Sequence, residues 1–178
     1  MNELTRRPTW VSSLGAFLAG IVTVSAVGYG SVSALGVGLF GLALLGIGLL
    51  HGLRGAVDAG ALGVFVAVVL GALVTESIDA TLLATIGVVL AWDLGHGAID
   101  LGEQLGRESP TARLEAIHGL ASLLVGLATA VLAYGVYEFS TGGQPVAAVV
   151  LLILAACFIT IALGTGRKSS ARRVPKAR

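Results

Sequence analysis

Two short patterns in this chain combine a carboxylate with an imidazole three residues later, Asp93-x-x-His96 and Glu115-x-x-His118. On a helix that spacing puts both groups on one side, and paired helices of di-metal bundles use it to aim ligands inward. With His51 and Asp58 nearby in level, the set offers nitrogen and oxygen donors suited to Zn, Fe or Mn. The same ionisable groups would serve a proton or ion path if they lay at membrane depth. Between and beside them stand Asp100, Glu103, Arg107, Arg113 and Glu115, a mixed-charge set fitted to pair with the surface of another protein. Catalytic signatures are missing: no Gly-x-Ser-x-Gly elbow, no His-Glu-x-x-His, no P-loop, no aspartate pair inside an apolar run. The expectation is therefore a non-enzymatic protein. Cys157, alone within an apolar run, reads as a small apolar filler.

The elements that position these residues follow from composition. Of 178 residues 56% are hydrophobic and only 12% charged, and mean hydropathy is +0.94. Soluble domains carry about a quarter charged residues, so the solvent for this chain must be lipid. The formal net charge of +1 is too small, and its basic residues too dispersed, for a nucleic-acid surface. The 26 glycines follow no strict period, which points to close helix packing rather than to linkers.

Six apolar runs predict an all-α polytopic integral membrane protein. The expected spans are about 11–28, 32–50, 59–74, 80–107, 110–137 and 145–163, forming a transmembrane domain over residues 1–166 with a basic tail at 167–178. The first run follows Arg6, Arg7 and Pro8 and reads as an anchor, with Trp10 at the interface. Ser31 or Ser33 is placed to cap helix two, Asp58 helix three, and Ser77 or Asp79 helix four. Gly48 and Gly52 make a small-xxx-small pair on helix two. Nothing breaks helix four at Trp92, because the next proline is Pro110. Helix four is thus longer than a bilayer requires, and with helix five it forms a long hairpin whose tip stands in water.

Six crossings make a prediction about charge. The turns at Tyr29 to Ser31, Thr75 to Asp79 and Glu138 to Gln144 contain no Lys or Arg, and all eleven cations fall in the alternate segments. Short loops rich in Lys and Arg stay in the cytoplasm. Both termini and the hairpin tip are therefore expected inside, at the cell membrane.

On helix four the spacing of Asp93, His96, Asp100, Glu103 and Arg107 predicts one polar face, and on helix five Glu115, His118, Ser122, Gly126 and Thr129 form a stripe descending into the bilayer. Three readings of the facing stripes stand open: an ion-paired, solvated hairpin tip; a metal site at Asp93, His96, Glu115 and His118; or a conduction path. Against the last, no acid or base lies near the middle of a span.

Several motifs carry a resemblance: Trp92-Asp93-x-Gly95, Leu101-Gly102-Glu103-Gln104-Leu105-Gly106-Arg107, Arg113-x-Glu115-x-x-His118 with Ser122-Leu123, and Gly142-Gly143-Gln144-Pro145. They are similar to a family of small, uncharacterised multi-spanning membrane proteins of halophilic archaea, often encoded beside MoxR-type ATPases. That resemblance implies a part in a membrane-bound assembly or maturation complex and assigns no functional residues. The leading expectation is a membrane scaffold or accessory subunit that docks membrane or cytoplasmic proteins through Asp100, Glu103, Arg107, Arg113 and Glu115, with no cofactor. The alternative is a small transporter or metal-handling protein. Homo-oligomerisation, through helix two above all, stays open.

Overall fold

Caps and one glycine set the element boundaries in the computed structural model, which describes residues 7–74, 77–106 and 111–140. Five helices fill them: α1 (Trp10–Gly28), α2 (Val32–His51), α3 (Arg54–Ala72), α4 (Ile78–Leu105) and α5 (Ala112–Ser140). Ser31 Oγ accepts the Ala34 N–H at 3.2 Å and starts α2. Ser77 Oγ does the same for α4 through Ala80. Both supply an acceptor to a donor that the helix cannot satisfy itself. Gly52 ends α2 in the left-handed region at φ 69, and the Gly48 carbonyl accepts the N–H groups of both Gly52 and Leu53.

That tight turn corrects one expectation. α3 begins at Arg54 instead of Ala59, so Asp58 lies in its second turn and does not cap it. Residues 51–58, read from their polarity as a connection, are mostly helix. The physical reason is Gly52, which reverses the chain within a residue and leaves Arg54 free to open a new helix. Gly52 is thus a cap, and Gly48 alone of that pair packs against α3.

All five helices are long and apolar enough to cross a membrane. The run expected as a sixth span, the basic tail, Cys157 and Arg107 lie outside the described residues. By contacts the chain separates into residues 1–132 and 133–178.

In the first unit, α2 lies along α3 and α1 along α4. The α2 and α3 backbones meet at glycines: a Cβ on Gly60 would collide with the Leu45 backbone, and one on Gly41 would sit 2.6 Å from the Val64 nitrogen. The core is correspondingly made of small side chains. Ala16, Leu45, Val57, Ala61, Ala91 and Ile99 form a cluster near the Arg54 end. Val24, Val64 and Val88 follow, then Val27, Ala67, Val68 and Ala84. Large apolar side chains point outward instead, Val22 and Phe40 each 67% exposed. A bundle with small residues inside and large apolar ones outside is built for a hydrocarbon surround, where helices associate through close packing rather than by hiding from water.

α4 is unbroken over 28 residues, about 42 Å at 1.5 Å per residue, against a hydrocarbon core of ~30 Å. Its far end holds the chain start: the Thr9 N–H donates to the Ala98 carbonyl at 3.0 Å. A side chain on Gly102 would strike the Arg7 carbonyl. In the middle of the bundle, the fully buried Thr23 hydroxyl donates to Ala19 O on its own helix at 2.9 Å. In the second unit, the Tyr134 and Tyr137 rings near the end of α5 lie 6.5 Å apart.

Candidate functional site

The polar side chains gather at one end of the bundle, where the starts of α1, α3 and α5 meet the end of α4, and they divide into four separate contacts. The most enclosed centres on Glu115, in the first turn of α5 at its junction with Thr111. Only 3% of Glu115 is exposed. Its Oε2 accepts the Thr9 hydroxyl at 2.8 Å and the Ser12 backbone N–H at 2.7 Å, and its Oε1 accepts the Thr111 hydroxyl at 2.6 Å. Among the described residues the buried polar side chains are Thr9, Ser12, Thr23, Thr111 and Glu115. All but Thr23 belong to this contact.

The arrangement is a helix cap supplied from another helix. Thr9 occupies the N-cap position of α1 but makes no side-chain bond to its own helix, because its hydroxyl is turned to Glu115. The carboxylate takes over by accepting from Ser12 in the first turn of α1. A negative group there also faces the positive end of the α1 dipole.

A second contact joins α3 to α4. The Trp92 indole N–H donates to Asp58 Oδ1 at 2.8 Å, and His96 Nε2 lies 3.2 Å from the same oxygen. The His96 ring packs at 5.0 Å from the Trp92 ring. A third contact joins α4 to α5, with Ser122 Oγ donating to Asp93 Oδ2 at 2.6 Å and His118 Nε2 at 3.2 Å from it.

The fourth is exposed. One guanidinium nitrogen of Arg54 reaches Asp100 at 2.7 Å and Glu103 at 2.8 Å, all three side chains being about half open to solvent. Arg113 is exposed as well.

The four metal candidates therefore occupy three different contacts: Asp93 with His118, His96 with Asp58, and Glu115 with Thr9, Ser12 and Thr111. His51 turns back to the Ile47 carbonyl of its own helix at 3.0 Å. Among the described residues no group of three or more His, Cys, Asp or Glu side chains is close enough to share a metal ion. The single polar face expected on α4 is split for a geometric reason. Asp93 meets α5, whereas His96, about 60° round the helix from it at 3.6 residues per turn, meets α3, and the long Arg54 side chain brings Asp100 and Glu103 into contact with α3 as well. Of the docking candidates, Asp100, Glu103 and Arg113 are accessible, Glu115 is sealed into the bundle, and Arg107 lies outside the described residues.

Sequence reasoning did not anticipate the Thr9, Ser12, Thr111 and Glu115 contact. Its available signal was Glu115 itself, a carboxylate at the head of a long apolar run with a hydroxyl one turn before it at Thr111.

The comparison with known families is decided by length: a single family pattern matches residues 6–160, most of the chain. The chain belongs to the family of unknown function DUF7519. No curated protein and no solved structure matches it. The match takes in all four polar contacts described for this DUF7519 member.

Proposed function

We propose that this protein is a membrane scaffold or accessory subunit, non-enzymatic, that docks a partner protein through the polar end of its helical bundle. In this reading the chain crosses the cell membrane six times, with both termini and the α4 to α5 hairpin in the cytoplasm. The absence of Lys and Arg from the alternate turns supports that orientation. The resemblance to archaeal membrane proteins encoded beside MoxR-type ATPases supports an assembly role.

The observation that carries the docking reading is the exposed set of Arg54, Asp100 and Glu103 at the polar end of the bundle, near the end of a helix longer than a bilayer requires. Asp100 and Glu103 share a single cation, so the cluster carries an excess negative charge that a basic partner surface would match. Charge complementarity of this kind sets specificity and association rate. Asp58, Asp93, His96, Glu115 and His118 are engaged in contacts between helices, which favours a docking surface over an aqueous transport pocket.

The test is affinity purification of the full chain from its native membrane, comparing wild type with the double reversal Asp100→Lys and Glu103→Lys. Docking predicts a discrete partner retained by wild type and lost from the reversal at equal expression. A partner set identical in both would refute docking through this cluster.

A further inference from the structure

At the same end of the bundle a groove of about 450 Å³ opens between α1 and α2. Its depth is apolar, walled by Leu14, Phe17 and Leu50 and floored at Gly46, where the missing side chain leaves Phe17 as the nearest neighbour of any added Cβ, at 3.2 Å. Its mouth is not apolar: Arg7 lines it, exposed, and no ion pair to it occurs among the described residues.

The combination has a direction. Arg7 precedes α1 at the polar end of the bundle, whereas Phe17 and Gly46 lie on the apolar flanks of two helices that face hydrocarbon. A molecule filling the groove must therefore have an anionic head and a hydrocarbon tail. A free anion would leave the apolar part empty, and a neutral chain would leave Arg7 unanswered. We propose that the groove binds one anionic glycerophospholipid, with its phosphate at Arg7 and one chain over Gly46. Basic pockets between transmembrane helices hold anionic headgroups in this way. The proposal requires only that α1 and α2 lie in lipid, and it stands whether or not the docking reading does.

The test uses Trp10, which lines the groove mouth, as a reporter. The chain has two tryptophans, so Trp92→Phe leaves Trp10 alone. The full chain carrying that change is placed in phosphatidylcholine nanodiscs, and quenching of Trp10 is followed as chain-brominated phosphatidylglycerol or chain-brominated phosphatidylcholine is introduced. The anionic lipid should quench at an about fivefold lower mole fraction than the zwitterionic one, the effect of one cation near the headgroups. Arg7→Gln should abolish that preference and Arg7→Lys retain it. Inorganic phosphate should leave it unchanged. Equal quenching by the two lipids, or a preference untouched by Arg7→Gln, would overturn the proposal. Loss of the preference on adding inorganic phosphate would also overturn it, by assigning the site to a free anion.

Discussion

The carboxylate of Glu115 on α5 accepts the backbone N–H of Ser12 on α1 at 2.7 Å, so the start of one helix is capped by a side chain from another more than a hundred residues away. The contact closes the bundle at its polar end. It fixes the start of α5 against α1, next to the α4 end that carries Asp100 and Glu103. In the docking account, that closure holds the exposed cluster in one position and so lowers the ordering cost of binding.

Breaking the cap should be felt in stability before anything else. Glu115→Ala leaves the Ser12 N–H and two threonine hydroxyls without their acceptor, and the loss expected is about 2 to 3 kcal/mol. Thr9→Val keeps the shape and removes one donor, for about 1 kcal/mol. Unfolding midpoints of the detergent-solubilised variants measure both, and a Glu115→Ala midpoint equal to wild type would contradict the capping role.

The α2 to α3 contact predicts opposite outcomes for two glycines. Gly60→Leu drives a side chain into the Leu45 backbone and should destabilise by about 1 to 3 kcal/mol or more. Gly36→Ala meets nothing within 4 Å and should be neutral or stabilise by up to about 1 kcal/mol, since alanine restricts the unfolded chain more than glycine does. Thermal unfolding of the pair, in the same detergent, checks the difference in sign.

Half-exposed ion pairs contribute little to folding. Arg54→Gln, and the reversals at Asp100 and Glu103, should therefore leave helical content and the unfolding midpoint unchanged within error. Circular dichroism across a melt is the check. A large downward shift would mean that Arg54, Asp100 and Glu103 hold the bundle together, and would remove them as a free docking surface.

Much of this architecture can be read from the residues, for reasons that differ by element. Ser31 and Ser77 cap where a hydroxyl precedes an apolar run. α4 runs through Trp92 because no breaker intervenes before Pro110. The start of α3 was not legible, because polar His51, Arg54 and Asp58 look like a loop and only the backbone shows Gly52 making the turn alone. The site was harder still. Side-chain periodicity says which residues share a face of one helix, but not how that helix is rotated against its neighbours, and rotation decides whether Asp93 meets His96 or His118. Glu115 looked like a surface charge for the same reason: its partners, Thr9 and Ser12, belong to a segment far off in sequence.

Thr23 tests whether the bundle interior is packing or passage. Its hydroxyl donates to Ala19 O on its own helix and reaches the Ala84 carbonyl of α4 at 3.4 Å, close to Gly87, where a Cβ could not fit. Thr23→Val should cost about 0.6 kcal/mol, the average for such bonds within membranes, with no change in ion permeability of reconstituted vesicles. A permeability change would favour a conduction path.

The docking reading depends on the polar end lying in the cytoplasm, and labelling tests that most directly. In a Cys157→Ala background, Gln104→Cys places one thiol on an exposed position near the end of α4. A membrane-impermeant maleimide should modify it in inverted vesicles and not in intact cells. Modification from outside intact cells would place the cluster on the wrong side of the membrane and contradict the account.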